Sequence, residues 1–210
     1  MKPIRRTFLD TLAAIRPIVA SPQVVARWDE PSALPEFSVR GLVGHLARAA
    51  LTVDTYLDRP QPAGGVPISP AAYYANLTAD IASPLNRGIR QRGEELAAAG
   101  HERLAAEIDR LAARLEERLA READDRLLVV AGNDLMRLDD YLVTRIIELT
   151  VHADDLALSV GLDAPALPPE ALDTTIDALV AIARDRHGDL AVLRALSRRE
   201  RDTVNTLRVF

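Results

Sequence analysis

Cysteine is absent from the 210-residue chain. Its absence excludes a disulfide framework, a thiolate metal site and a cysteine nucleophile, so any bound metal must draw on histidine, carboxylates or other oxygen donors. Lysine is almost absent too: Lys2 is the single one among 26 basic residues, the rest being arginine, a bias that carries no functional reading by itself. Positive charge is not in excess either, since the formal net charge is -5. This argues against nucleic acid and acidic membranes as partners, because both select basic patches. No uninterrupted apolar run approaches the roughly 18 to 20 residues that a membrane span needs. The N-terminal stretch reaches Asp10 before any sustained apolar run, unlike a secretory signal. The expectation is a cytoplasmic protein with one substantial core plus appendages, without internal repeats or low-complexity tracts.

What is present is helical periodicity. From Tyr141 to Val160, closed by Gly161, the residues Leu142, Ile146, Leu149, Ala153, Leu156 and Val160 form one apolar stripe, and Val143, Ile147, Val151 and Leu158 a second. Between them runs a polar lane of Tyr141, Arg145, Glu148, His152, Asp155 and Ser159, with Glu148 and His152 four apart and therefore on one face. Such a lane suits a helix facing a shared interior with a polar site; it equally suits a surface helix with a narrow wet side.

Elsewhere Phe8, Leu12, Ile15 and Val19 mark a first helix, and Ser21-Pro22 restarts it. Ser38 is a suitable N-cap for a second main helix, with Phe37 as a hydrophobic staple on Leu42. Its stripe of Leu42, Leu46, Ala49, Val53 and Tyr56 has His45 in the middle, so His45 points inward, either as a hydrogen-bonded core residue or as a ligand. The proline- and glycine-rich stretch from Arg59 to Pro67 reads as a loop folding over an opening of the domain. Ser69-Pro70 and Ser83-Pro84 read as helix starts, and a helical pattern from Leu85 to Glu122 predicts a break near Gly93 or Gly100. Residues 126–130 and 135–138 flank a Gly-Asn turn and predict a small hairpin, after which Asp139 or Asp140 caps the helix of the polar lane. A helix from Pro169 to Arg186 is expected with Leu172, Ile176, Leu179, Val180 and Ala183 inward. A helical piece from Leu190 to Arg199 and a terminal strand from Val204 to Phe210 complete the chain.

The fold class is therefore all-α: an antiparallel four-helix bundle over residues 1–162, with a small hairpin, and extra C-terminal helices over 163–210 that pack on it. Bundles place metal sites on inward side chains of facing helices, and His45 with Glu148 and His152 supplies two imidazoles and one carboxylate. That donor set leaves positions open for water or substrate, as catalytic zinc and non-haem iron sites do. His101 and His187 fit surface or capping roles.

The segment Pro31-Ser-Ala-Leu-Pro-Glu-Phe-Ser-Val-Arg-Gly-Leu-Val-Gly-His-Leu46 resembles the first signature of the mycothiol-dependent maleylpyruvate isomerase N-terminal domain, a branch of the DinB-like bundles. Arg145-Ile-Ile-Glu-Leu-Thr-Val-His-Ala-Asp-Asp-Leu156 is similar to its second. The resemblance covers roughly residues 5 to 162 and implies a DinB-like bundle in which His45, Glu148 and His152 bind a divalent metal, usually zinc. It implies a low-molecular-weight thiol such as mycothiol as co-substrate and a small electrophile as substrate, with isomerase or S-transferase chemistry. Arg145 and Asp155 become candidates for supporting the ligands, and Arg87, Arg90 and Arg92 for holding the thiol. Fewer than 50 residues follow Gly161, too few for a full copy of the isomerase's second domain, so general thiol-dependent chemistry is expected ahead of maleylpyruvate isomerisation. The competing readings are a non-catalytic metal-binding module, serving as sensor or interaction partner, and a structural helical protein whose histidines are satisfied core groups. Relatives of this kind are often dimers, and the terminal helices leave room for a homodimer.

Overall fold

The computed structural model describes residues 1–75, 83–202 and 205–209. In chain order the elements are α1 (Pro3–Val19), α2 (Pro22–Ala26), α3 (Val39–Leu57), α4 (Pro70–Ala75), α5 (Pro84–Ala97), α6 (His101–Arg121), β1 (Leu127–Val129), β2 (Leu135–Arg137), α7 (Leu138–Val160), α8 (Pro169–His187) and α9 (Asp189–Ser197). One local rule sets several of the starts. A serine in extended conformation precedes a helix and its hydroxyl accepts an otherwise orphaned backbone N–H. Ser21 accepts from Val24 at 3.3 Å, Ser38 from Gly41 at 3.0 Å, Ser69 from Ala72 at 3.2 Å and Ser83 from Asn86 at 3.2 Å.

Helices α1, α3, α6 and α7 form the DinB-like antiparallel four-helix bundle. Phe8, Leu12, Leu42, Leu46, Leu115, Leu119, Leu142 and Leu149 are fully buried at its centre, each worth roughly 1.5 to 3 kcal/mol of burial. The buried Arg5 guanidinium ties three helix ends together, donating to Asp139 at 2.8 Å and to the carbonyls of Leu119, Glu122 and Ala123. Helix α5 crosses α3 where glycines meet: a Cβ on Gly44 would lie 2.1 Å from the Gly93 carbonyl oxygen. Gly93 therefore allows a close approach and does not break the helix; the break falls at Gly100, whose φ of +93° suits glycine.

Several expectations need correction. Neither Asp139 nor Asp140 caps α7, which begins at Leu138; both lie in its first turn, where Asp139 instead accepts from Lys2 and Arg5. Leu158, assigned to the second stripe, is 71% exposed. Along α8 the buried residues are Ala171, Thr175, Ile182 and Ala183, whereas Leu172 and Ile176 are exposed. In its first half the helix turns Ala171 and Thr175 inward where it packs on α7 and α4, while Ala183, as expected, and Ile182 are buried in its second half. The loop before α4 meets the hairpin, Ile68 N–H donating to the Leu135 carbonyl at 2.8 Å, and lines no cavity that holds the site. Of the expected terminal strand, Val204 and Phe210 lie outside the described residues, and 205–209 hold a turn and no strand. Among the described residues no helix is long and apolar enough to cross a membrane.

Candidate metal centre

The polar lane of α7 faces the bundle interior, not solvent: Tyr141, Arg145 and Glu148 are buried, and His152 is nearly so. One turn of helix separates Glu148 from His152, which stacks their side chains, and α3 brings His45 against them. His45 Nε2 lies 2.9 Å from Glu148 Oε2, and His152 Nε2 lies 3.3 Å from the same oxygen. The three ligand atoms fall within 4.8 Å of one another. On its far side the His152 ring pairs through Nδ1 with Asp155 at 2.9 Å, and Asp155 is itself tied to Ser159, whose hydroxyl donates to its carbonyl. This carboxylate–imidazole pair fixes the ring and points Nε2 inward.

The electrostatics of the trio follow from that geometry. Burial disfavours the Glu148 carboxylate, but hydrogen bonds from His152 and His45 overcome it and hold the group well below the usual carboxylate range. Burial opposes charge on His152 as well, yet the hydrogen bonds to Asp155 and Glu148 push its pKa up to about 9. For His45 burial wins, and its pKa is lowered despite the bond to Glu148. Of the two imidazoles, His152 is thus the one favoured to carry an extra proton in the metal-free trio, lying between Asp155 and Glu148. A divalent cation among the three donors would replace that proton and offset more charge, so the donor set fits zinc. His45 Nδ1 is buried without a hydrogen-bond partner among the described residues, and Nε2 is the atom directed at the trio.

Beside the trio is a cavity of about 140 Å³. Its wall includes Arg48 and Thr52 of α3, Arg92 of α5, Tyr73 of α4, and Tyr141 and Arg145 of α7. The Arg145 guanidinium lies 4.8 Å from the Tyr141 ring centre and 5.8 Å from that of Tyr73, and its Nε donates to Thr144 Oγ1 at 3.0 Å. Burial opposes its charge; the phenols of Tyr141 and Tyr73 and the Glu148 carboxylate outweigh it and raise its pKa. Arg48 is half-buried, and its pKa is lowered by burial and by the neighbouring Arg92. A larger groove of about 510 Å³ lies between α8 and α9, but Leu190, Leu193 and Leu196 line it and only the Arg184–Asp189 ion pair is charged, so it holds no comparable chemistry.

The sequence profile of the mycothiol maleylpyruvate isomerase N-terminal domain family matches residues 8–157. The chain belongs to this family. The crystal structure of the mycothiol-dependent maleylpyruvate isomerase superposes with a TM-score of 0.55 at 16% identity, over 87% of this chain and 70% of that one. A structure of a mutant of that isomerase gives 0.56 at 15% identity, over the same shares. These likenesses establish the fold. No curated protein matches the chain.

Within this family member the structure brings together His45, Glu148, His152 and Asp155, and sets Arg145 against Tyr141 and Tyr73; no ion pair joins Arg145 to a carboxylate among the described residues. Arg92 reaches the cavity wall, Arg90 pairs with Glu36 at 2.7 Å and lines a separate groove with Phe37 and Ile89, and Arg87 is exposed and not part of the cavity wall. His101 bonds the Val19 carbonyl at 2.7 Å and thereby joins α6 to the end of α1, the capping role expected; His187 closes α8 on the surface. Sequence reasoning missed Arg48, Tyr73 and Tyr74. Arg48 carried a signal, since it lies three residues after His45 on the same helix face; the tyrosines sit on a helix of six residues, too short for periodicity to assign a face.

Proposed function

We propose that the protein is a zinc-dependent enzyme that joins a low-molecular-weight thiol of the mycothiol type to a small anionic electrophile, either transiently, for isomerisation, or permanently, for S-transfer. The observation that carries this reading is the convergence of His45, Glu148 and His152 beside a cavity walled by Arg48, Arg92 and Arg145. Family membership supports it, as does the activity of the isomerase whose solved structure shares the fold. A bound dication stabilises a thiolate over its thiol and so supplies the nucleophile.

The chain's own residues do the rest. His45, Glu148 and His152 would hold the cation and leave further positions open. Asp155 keeps His152 in the tautomer whose Nε2 is a lone pair. The guanidinium groups of Arg48 and Arg92 have no carboxylate partner among the described residues, so they hold an anionic group of the electrophile; Arg145 adds a third positive charge beside them. Those charges also stabilise the negative charge that builds on the electrophile as the sulfur adds to its carbon. A volume of 140 Å³ admits the reacting ends only, since whole small-ligand pockets run from about 300 Å³; the bulk of a large thiol lies outside it. A reduced small thiol places the reaction in the cytoplasm.

The test is metal analysis on tag-free protein, followed by turnover of a small anionic electrophile, iodoacetate, with mycothiol, iodide being the leaving group. The expected result is about one zinc per chain, lost in His45→Ala and His152→Ala, with thiol transfer above the no-enzyme rate. Unchanged metal content in both variants refutes the centre. Zinc without turnover of any anionic electrophile refutes the enzyme and leaves the non-catalytic module.

A further inference from the structure

The two carboxylate oxygens of Glu148 face different partners. Oε2 is the atom shared with His45 and His152. Oε1 points the other way and accepts from the Tyr74 hydroxyl at 2.8 Å; the Thr144 carbonyl lies 3.1 Å from that hydroxyl. A phenol has one hydrogen to donate, and a carboxylate at the shorter distance outcompetes a neutral carbonyl. The Tyr74 ring is buried in a cluster of its own with Ile147, Ile182, Ala183, Val192 and Val209, separate from the bundle core. Arg186, in the last turn of α8, donates to the Tyr74 carbonyl at 2.9 Å through one Nη and to the Val209 carbonyl at 2.9 Å through the other. Four members of that cluster and Arg186 lie beyond the residues that match the family, so the C-terminal segment reaches the centre through this tyrosine.

We propose that Tyr74 is a positioning residue that confines Glu148 to ligation through Oε2 alone, and that Arg186, together with the C-terminal segment, holds Tyr74 in place. The proposal rests on the metal centre described above. An Oε1 engaged by Tyr74 cannot swing onto the cation to make a two-oxygen ligand, and the position it would fill stays open for the thiol sulfur. The family-matched bundle thus carries the donors, and the C-terminal helices set how one of them binds.

The test compares wild type, Tyr74→Phe, Arg186→Gln and the double variant by zinc competition titration, by the visible spectrum of the cobalt-substituted protein and by melting of the metal-free protein. Tyr74→Phe keeps the ring and removes only the hydroxyl. It is expected to weaken zinc binding about 10- to 100-fold, as loss of a ligand's supporting hydrogen bond does, and to lower the intensity of the cobalt bands as coordination number rises. Melting of the metal-free protein changes far less. Arg186→Gln shifts zinc affinity in the same direction by a smaller factor, and the double variant loses no more than Tyr74→Phe alone. Wild-type zinc affinity and cobalt spectrum in Tyr74→Phe overturn the proposal. Losses in the double variant that multiply overturn the role of Arg186. Should Tyr74→Phe fail to fold, Arg186→Gln decides, and unchanged zinc affinity in it overturns the proposal. A wild type that takes up no zinc refutes the metal centre itself and the proposal with it, whereas zinc in wild type, its loss in His45→Ala and no effect of Tyr74→Phe refute the proposal alone.

Discussion

The close crossing of α3 and α5 allows a sharp test, because two glycines in helical interiors make opposite predictions. At Gly44 an added Cβ would lie 2.1 Å from the Gly93 carbonyl oxygen and 2.8 Å from its carbon. Ordinary contact begins near 3.4 Å, so α5 would have to withdraw by more than 1 Å, and a backbone carbonyl cannot rotate aside as a side chain can. Overpacking of this kind costs about 1 to 3 kcal/mol and occasionally more. Replacing glycine by alanine in a helix recovers about 1 kcal/mol. With the clash at the upper end, Gly44→Ala should lose roughly 2 kcal/mol net, or about 4 to 8 °C of melting temperature at this chain length. At Gly88, by contrast, the new Cβ would meet only the end of the Arg92 side chain, at 3.2 Å. That group can move, so Gly88→Ala should gain up to about 1 kcal/mol. Urea and thermal unfolding of the two variants beside wild type decide the matter. Equal or greater stability in Gly44→Ala, or equal losses in both, would refute the account of the crossing. Since His45 follows Gly44 and Arg92 precedes Gly93, Gly44→Ala should also weaken zinc binding, which Gly88→Ala should not.

Two further variants probe the supports of the centre and of the bundle. His152 has a folded pKa of about 9 against an ordinary 6.5. Its contribution in the metal-free protein is therefore fully present below about pH 6.5 and is lost as pH rises through 9, a change on the order of 3 kcal/mol. Asp155→Asn should flatten that slope in denaturant melts at pH 6 to 10 and weaken zinc binding about 10- to 100-fold; a slope as steep as in wild type would contradict the pairing. Arg5→Ala removes the donor to Asp139 and to three carbonyls at the end of α6, which should cost roughly 3 kcal/mol. A loss below about 1 kcal/mol in urea unfolding would show that water satisfies those groups.

The elements legible in the chain were those whose signals are local or periodic. Ser21, Ser38, Ser69 and Ser83 each announce a helix start by chemistry that acts within three residues, and all four do so. The face of α7 was readable because 23 residues give a period of 3.6 enough repeats to separate the stripe at Leu142, Ile146 and Leu149 from the lane at Arg145, Glu148 and His152. Even so, periodicity alone left that lane open to two readings, and only the approach of α3 resolves them, by placing His45 against Glu148. On α8 the same reasoning held for Ala183, which is buried, and for Leu179 and Val180, which pack on its cluster, but failed for Leu172 and Ile176. It credits the largest apolar residues with the inward face, but along the first half of the helix Ala171 and Thr175 take it, which leaves Leu172 and Ile176 outside.

Tyr74 was beyond reach for a different reason. It and Glu148 are 74 positions apart, its helix has six residues, and Arg186 and Val209, which secure it, come later still. No motif spacing encodes a contact assembled from three separate stretches of chain. The signature residues supply the donors proposed for a metal; with Tyr74 in the role proposed for it, how many oxygens of Glu148 bind would depend on residues that no signature contains. The same donor trio can thus carry different open positions, and different chemistry, according to what packs behind it.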